Sequence, residues 1–80
     1  MYLCVYSLQK TLFDGECEKL IAHTPQGQIT VLADHLPLIT KLTGPQVITV
    51  DTAGKRHEIG LDRGILEVRP GSEVVILVES

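Results

Sequence analysis

The sequence predicts an all-β fold: a two-sheet antiparallel β-sandwich or flattened barrel of about eight to ten short strands. Three observations predict it. The chain holds 8 Val, 7 Ile and 7 Thr against 3 Ala, and β-branched side chains suit a pleated surface better than a helix. Gly and Pro recur at 15, 25, 27, 37, 44, 45, 54, 60, 64, 70 and 71, and beyond the first of these no uninterrupted window exceeds nine residues. Such gaps fit strands, and mostly exclude helices of ordinary length. Finally, 80 residues leave room for one core only, so residues 1–80 read as a single domain.

Taken in order, residues 2–8 form a first strand with Leu3 and Val5 on one face and Cys4 and Tyr6 on the other. Phe13 precedes Asp14-Gly15, a turn dipeptide. Residues 16–23 read as the second strand, with Cys17 and either Leu20 or Ile21 turned inward. Pro25-Gln26-Gly27 turns the chain into a strand over 28–32. Pro37 removes a ladder donor and holds Leu36 extended, which makes 33–37 a loop or the approach to an edge strand. A strand over 38–43 ends at Gly44-Pro45; 47–50 and 56–61 then form a hairpin around a turn at 51–55. Asp62-Arg63-Gly64 turns again, 65–69 is a strand, and Pro70-Gly71-Ser72 leads into 73–79. Within that last strand residues 74–78 are apolar at every position, the pattern of a strand covered on both faces.

Charge and composition exclude several functions. The formal charge is −3, with no Trp and one Phe; a nucleic-acid ligand wants a basic face with stacking aromatics. No apolar stretch approaches the roughly 20 residues of a membrane-spanning helix, and the N-terminus lacks the basic start of a signal peptide. Cys4 and Cys17 are too few for a disulfide-built scaffold and read as two free, buried thiols in a reducing compartment, a bridge between them staying open.

The histidines, His23, His35 and His57, have no metal-ligand spacing with one another or with the cysteines, and His23 and His57 read as solvated strand-end residues. Ser7, Ser72 and Ser80 lack a nucleophile elbow, and Cys17 has only Lys19 as a basic neighbour. Glu16 with Glu18, and Glu67 with Arg69, read as charges on a wet strand face. No phosphate-cradling glycine loop is present. The expectation is a protein without catalytic, cofactor-binding or metal-binding residues, and not an enzyme. His35, between Asp34 and Leu36-Pro37-Leu38, stands apart. Either Leu36 and Leu38 both fold back into the core, or a Leu-Pro loop tip is exposed for a protein contact.

Several segments match one family in register. Leu12-Phe13-Asp14-Gly15 corresponds to L-F-x-G, and Val31-Leu32-Ala33-Asp34-His35-Leu36-Pro37-Leu38-Ile39-Thr40 to V-L-P-x-H-x-P-L-[IL]-T. Gly64-Ile65-Leu66-Glu67-Val68 and Val74-Val75-Ile76-Leu77 correspond to G-G-[FI]-L-E-V and V-T-[VI]-L. By these motifs the chain resembles the N-terminal β-sandwich of the epsilon subunit of F-type ATP synthases, delta in mitochondrial nomenclature. It departs from the pattern at turns: Ala33 replaces Pro, Arg63 replaces a Gly, and Gly44-Pro45 inverts Pro-Gly.

The resemblance implies a non-catalytic central-stalk (rotor) subunit of a proton-translocating ATP synthase, coupling the gamma subunit to the membrane c-ring. By motif, Gln28, His35 and Leu36 would face the c-ring, and Thr40 and Leu42 would lie toward gamma. His35 would chiefly hydrogen-bond to shape its loop, with a pH-sensitive rotor contact as the other reading. The family's inhibitory helical hairpin, which in some members binds ATP, has no counterpart in these 80 residues, so neither inhibition nor nucleotide binding is expected; a short natural subunit and one domain of a longer chain both stay open. The implied location is peripheral, on the cytoplasmic face of a bacterial inner membrane. The rival reading is a free-standing β-sandwich that binds a small molecule or protein without catalysis, which calls for a concave pocket with convergent polar groups.

Overall fold

The computed structural model describes residues 1–79, and in them eight strands: β1 (Tyr2–Tyr6), β2 (Thr11–Glu16), β3 (Lys19–Thr24), β4 (Gly27–Leu32), β5 (Leu38–Val50), β6 (Arg56–Gly60), β7 (Arg63–Arg69) and β8 (Glu73–Val78). They run in the order β2-β1-β8-β7-β5-β3-β4, with β6 also paired to β5. β1 pairs β8 in parallel and every other pairing is antiparallel. The all-β reading holds, but the strands are mixed in direction and not purely antiparallel.

Strand β5 serves both halves. Residues 38–43 pair with β7, while residues 46–50 pair with β6. Between Ile21 and His23, β3 advances two residues while its partners on β5 step from Ile48 to Thr43, five residues. This broad bulge turns β5 through a corner, and the cis Gly44–Pro45 peptide lies inside it. The sheet thereby folds over one core. Leu3, Val5, Leu66, Val68, Val74 and Ile76 come from the β1-β8-β7 half, and Leu20, Ala22, Val31 and Val47 from the β3-β4-β5 half; all ten are buried in one cluster.

Local chemistry explains the tight turns. The Thr24 hydroxyl donates to the Gly27 carbonyl at 2.8 Å and accepts from the Gln26 amide, and Gly27 takes φ 125°. At the β5–β6 turn one Asp51 carboxylate oxygen accepts the Ala53 and Lys55 amides, each at 2.9 Å. Both turns stand where the sequence puts them.

Elsewhere the structure corrects the reading. Asp14-Gly15 is no turn: it lies inside β2, an edge strand paired to β1. The turn comes earlier, where the Ser7 amide donates to the Lys10 carbonyl and the Ser7 hydroxyl accepts the Gln9 and Lys10 amides. A serine does there what a glycine was expected to do. The strand expected over 16–23 begins only at Lys19, and Cys17 sits in the corner before it, exchanging two main-chain hydrogen bonds with Met1. Gly44-Pro45 does not end β5, and Arg63 belongs to β7 and not to a turn.

β8 is covered on one face only. Val74 and Ile76 are buried, but Leu77 is 51% exposed, because none of the described residues packs outside the β1-β8-β7 half. Cys17 is buried in the core and Cys4 half-buried on the opposite, outer face; both thiols are free. His23 and His57 are half-buried, the latter 3.5 Å from Asp51, and so are less solvated than the sequence implies.

Candidate functional site

The 33–37 loop follows β4 and is shaped from within. The His35 amide donates to the Leu32 carbonyl at 3.0 Å. Its ring Nδ1 lies 2.7 Å from the Leu36 carbonyl oxygen. A carbonyl only accepts, so Nδ1 carries a proton and donates. Pro37 keeps Leu36 extended, and Leu36 is 78% exposed while Leu38 packs against the core. The two leucines thus divide between the alternatives: one folds in, the other forms a bare tip.

The residues beyond the loop follow the strand period of two. Leu42 is 1% exposed and part of the core, which corrects the expectation that it faces a partner. Thr40 shares that inward parity and is half-buried, its hydroxyl donating to the Lys41 carbonyl. The outward residues are Ile39, 71% exposed, and Lys41. A shift of one residue exchanges the two faces of a strand, and motif matching alone did not fix which face was which.

Gln28 is exposed at the start of β4. The six residues of that strand span about 16 Å, so Gln28 and the His35–Leu36 loop lie at opposite ends of it. The two segments assigned to the c-ring are thus separated by the length of the strand. Near Gln28 stand the exposed Pro25 and Gln26 of the β3–β4 turn.

Sequence reasoning missed the outer face of the β1-β8-β7-β5 half. Tyr6, Ile39, Ile65 and Leu77 are exposed there, around a groove of about 500 Å³ that Cys4 and Val75 also line. Arg69 and Glu73, paired across β7 and β8, close one end of the groove, and Glu67 lies within it between Ile39 and Val75. Arg69 pairs with Glu67 at 3.0 Å, and that carboxylate holds its guanidinium above the ordinary range. The Cys4 side chain pushes the Tyr6 phenol up. Arg69 also lines the cleft beside Leu36 and Pro37, so loop tip and outer face are continuous. The available signal was the apolar run over 74–78: in a sheet with one open face, alternate members of such a run must point outward.

A second cleft, beside Met1, Glu18 and His35, is open and carries scattered polar groups. Among the described residues no three His, Cys, Asp or Glu side chains come together to hold a metal ion, and no helix is long and apolar enough to cross a membrane.

Comparison with known proteins agrees with this architecture. Among solved structures, a chain of the Euglena gracilis mitochondrial ATP synthase (OSCP, F1 and c-ring) superposes with TM-score 0.90 at 19% identity, over 98% of this chain and 49% of that one. A chain of the Tetrahymena thermophila mitochondrial ATP synthase central stalk and c-ring gives 0.80 at 14% identity, over 100% and 63%. At such identities the likeness is one of fold. The ATP synthase epsilon chain of Xanthomonas oryzae is 33% identical over 76 residues, and that of Xanthomonas campestris 30%. This chain spans 54% of the length of these relatives. The family profile of the ATP synthase delta/epsilon chain β-sandwich domain matches residues 1–80, and the chain belongs to that family.

Proposed function

We propose that the chain is the β-sandwich of a central-stalk subunit of a proton-translocating ATP synthase, joining the gamma subunit to the membrane c-ring without catalysis or a cofactor of its own. The observation that carries this reading is the family match over residues 1–80. Bacterial relatives support a peripheral place on the cytoplasmic face of the inner membrane. A part that transmits torque needs stiffness and durable contacts, not reactive groups. Close packing of side chains between the two halves of a folded sheet supplies the stiffness.

The contacts divide by geometry. Leu36 and the outer face with Ile39, Ile65 and Leu77 adjoin across Arg69 and set large exposed apolar side chains around the Glu67–Arg69 pair, which suits one long-lived neighbour; we assign them to gamma, with the half-buried Thr40 on the inner side of β5 behind them. The polar end with Gln28 is left for the c-ring. Cysteine cross-linking in the assembled enzyme, in a Cys4→Ser background, tests the division. Gln28→Cys should link to the c subunit and Leu36→Cys to gamma. The reverse pattern would overturn the division, and a chain that enters no complex with gamma and c subunits would overturn the function itself.

A further inference from the structure

Among the described residues Ser72 is the one non-glycine with positive φ, at 60°, a conformation L side chains avoid. Glycine would take that backbone freely, so what serine adds is its hydroxyl. The hydroxyl donates to the Ala33 carbonyl oxygen at 2.7 Å, across 39 residues of sequence. The Ser72 carbonyl in turn accepts the Tyr2 amide at 2.9 Å. One residue of the β7–β8 turn is thus anchored to the start of β1 and holds the beginning of the 33–37 loop.

The other hydrogen bonds of that loop are internal: His35 to Leu32 and His35 to Leu36. Among the described residues the Ser72–Ala33 bond is the one hydrogen bond that joins the loop to a distant segment. Without it, the loop would keep its internal shape but lose its hydrogen bond to the rest of the fold, and the exposed Leu36 would move with it. Ordering a mobile loop on binding costs affinity, and fixing it beforehand removes that cost.

We propose that Ser72 is a positioning residue, whose hydroxyl clasps Ala33 and so holds Leu36 in the attitude that docks on the neighbouring stalk subunit. The docking half of this inference rests on the assignment of Leu36 to gamma; the clasp does not. Ser72→Gly separates docking from folding, because it relieves the backbone while removing the donor. Its melting temperature should equal or exceed that of the parent chain. Its affinity for immobilised gamma subunit should fall about 3- to 10-fold, and the His35 amide should exchange with solvent several times faster. Asparagine tolerates positive φ and offers an amide donor, so Ser72→Asn should restore binding to within about twofold of the parent.

If the parent binds gamma and Ser72→Gly binds equally well, the docking role is wrong. A loss of affinity that merely tracks a lowered melting temperature also overturns it, since the residue is then structural. If the parent itself does not bind gamma, the assignment of Leu36 has failed, and the exchange experiment judges the clasp alone: an unchanged His35 exchange rate overturns it.

Discussion

Gly64 sits where β7 runs against β8, and a Cβ built there would lie 2.5 Å from the Leu77 carbonyl oxygen. That oxygen belongs to a strand hydrogen-bonded on both sides, so it has nowhere to go. Gly64→Ala should therefore destabilise the fold by about 2–3 kcal/mol, read as a lowered urea midpoint. A loss below the error of the measurement would show that β8 yields. The two thiols make a second test at this scale. Burial pushes the Cys17 thiol up, against the opposing pull of the nearby α-amino group, while Cys4 lies half-buried on the outer face. Thiolates, not thiols, attack disulfide reagents. In the native chain at pH 8 one cysteine, Cys4, should react promptly and Cys17 only on unfolding; equal rates in the native state would contradict the burial of Cys17.

The β5–β6 turn shows how much an element can say for itself. Asp51 followed by Gly54 announces a turn, and the carboxylate is found accepting the Ala53 and Lys55 amides. The Lys55 amide, then the Ala53 amide and His57, hold the Asp51 carboxyl below the ordinary value of 3.8. Since the folded state binds this proton less tightly than the unfolded chain, the charge stabilises above the unfolded value. That stabilisation is lost as pH falls through the lower, folded one. Asn keeps the accepting oxygen but not the charge. The urea midpoint of Asp51→Asn should lie below the parent's at pH 7, and the gap should narrow as pH falls below the ordinary value of 3.8. A gap that keeps its size as the pH is lowered would remove the carboxylate's charge from the account.

Other elements were legible only in part, and for identifiable reasons. The strands β3, β4 and β6 are bounded by side-chain-to-backbone turns that a short window contains. β2 is bounded by Ser7, whose hydroxyl acts through its own neighbours and resembles any exposed serine. Gly44-Pro45 looked like a stop because proline donates no ladder hydrogen bond. Here its carbonyl accepts the Leu61 amide at 3.0 Å, and the Gly44 amide donates to Asp62 at 2.7 Å, so the chain carries on through the corner. The parallel pairing of β1 with β8 joins residues some 70 positions apart, such as Leu3 with Val74, and no local pattern encodes it. The same holds for the site: the His35 loop was visible as an apolar tip, whereas the face it adjoins exists only once β1, β8, β7 and β5 are side by side.

At the scale of the whole molecule, the two faces of the β1-β8-β7 half are unequal in a way that folding alone does not require. The inner residues Leu3, Val5, Leu66, Val68, Val74 and Ile76 are buried, and they account for the strands' apolar character on that side. The outer residues Ile39, Ile65 and Leu77 remain partly or largely exposed; large apolar side chains gathered on one surface mark a place where something else binds. The Glu67–Arg69 pair, with Glu73 beside it, sets charge among these apolar side chains, and a partner that complements it is favoured in one orientation. Leu77→Glu places a charge in the middle of this face without touching the core. Stability should fall by about 1 kcal/mol, from the loss of the Leu77 cross-strand contacts with Ile65 and Tyr6, while retention by gamma should fall at least about tenfold. Gln28→Glu, at the far end of β4, should leave gamma retention intact. Co-purification of tagged gamma with each variant, alongside urea midpoints, separates the outcomes. Undiminished retention of a folded Leu77→Glu chain would move gamma off this face, and loss with Gln28→Glu would move it to the opposite end of the sandwich.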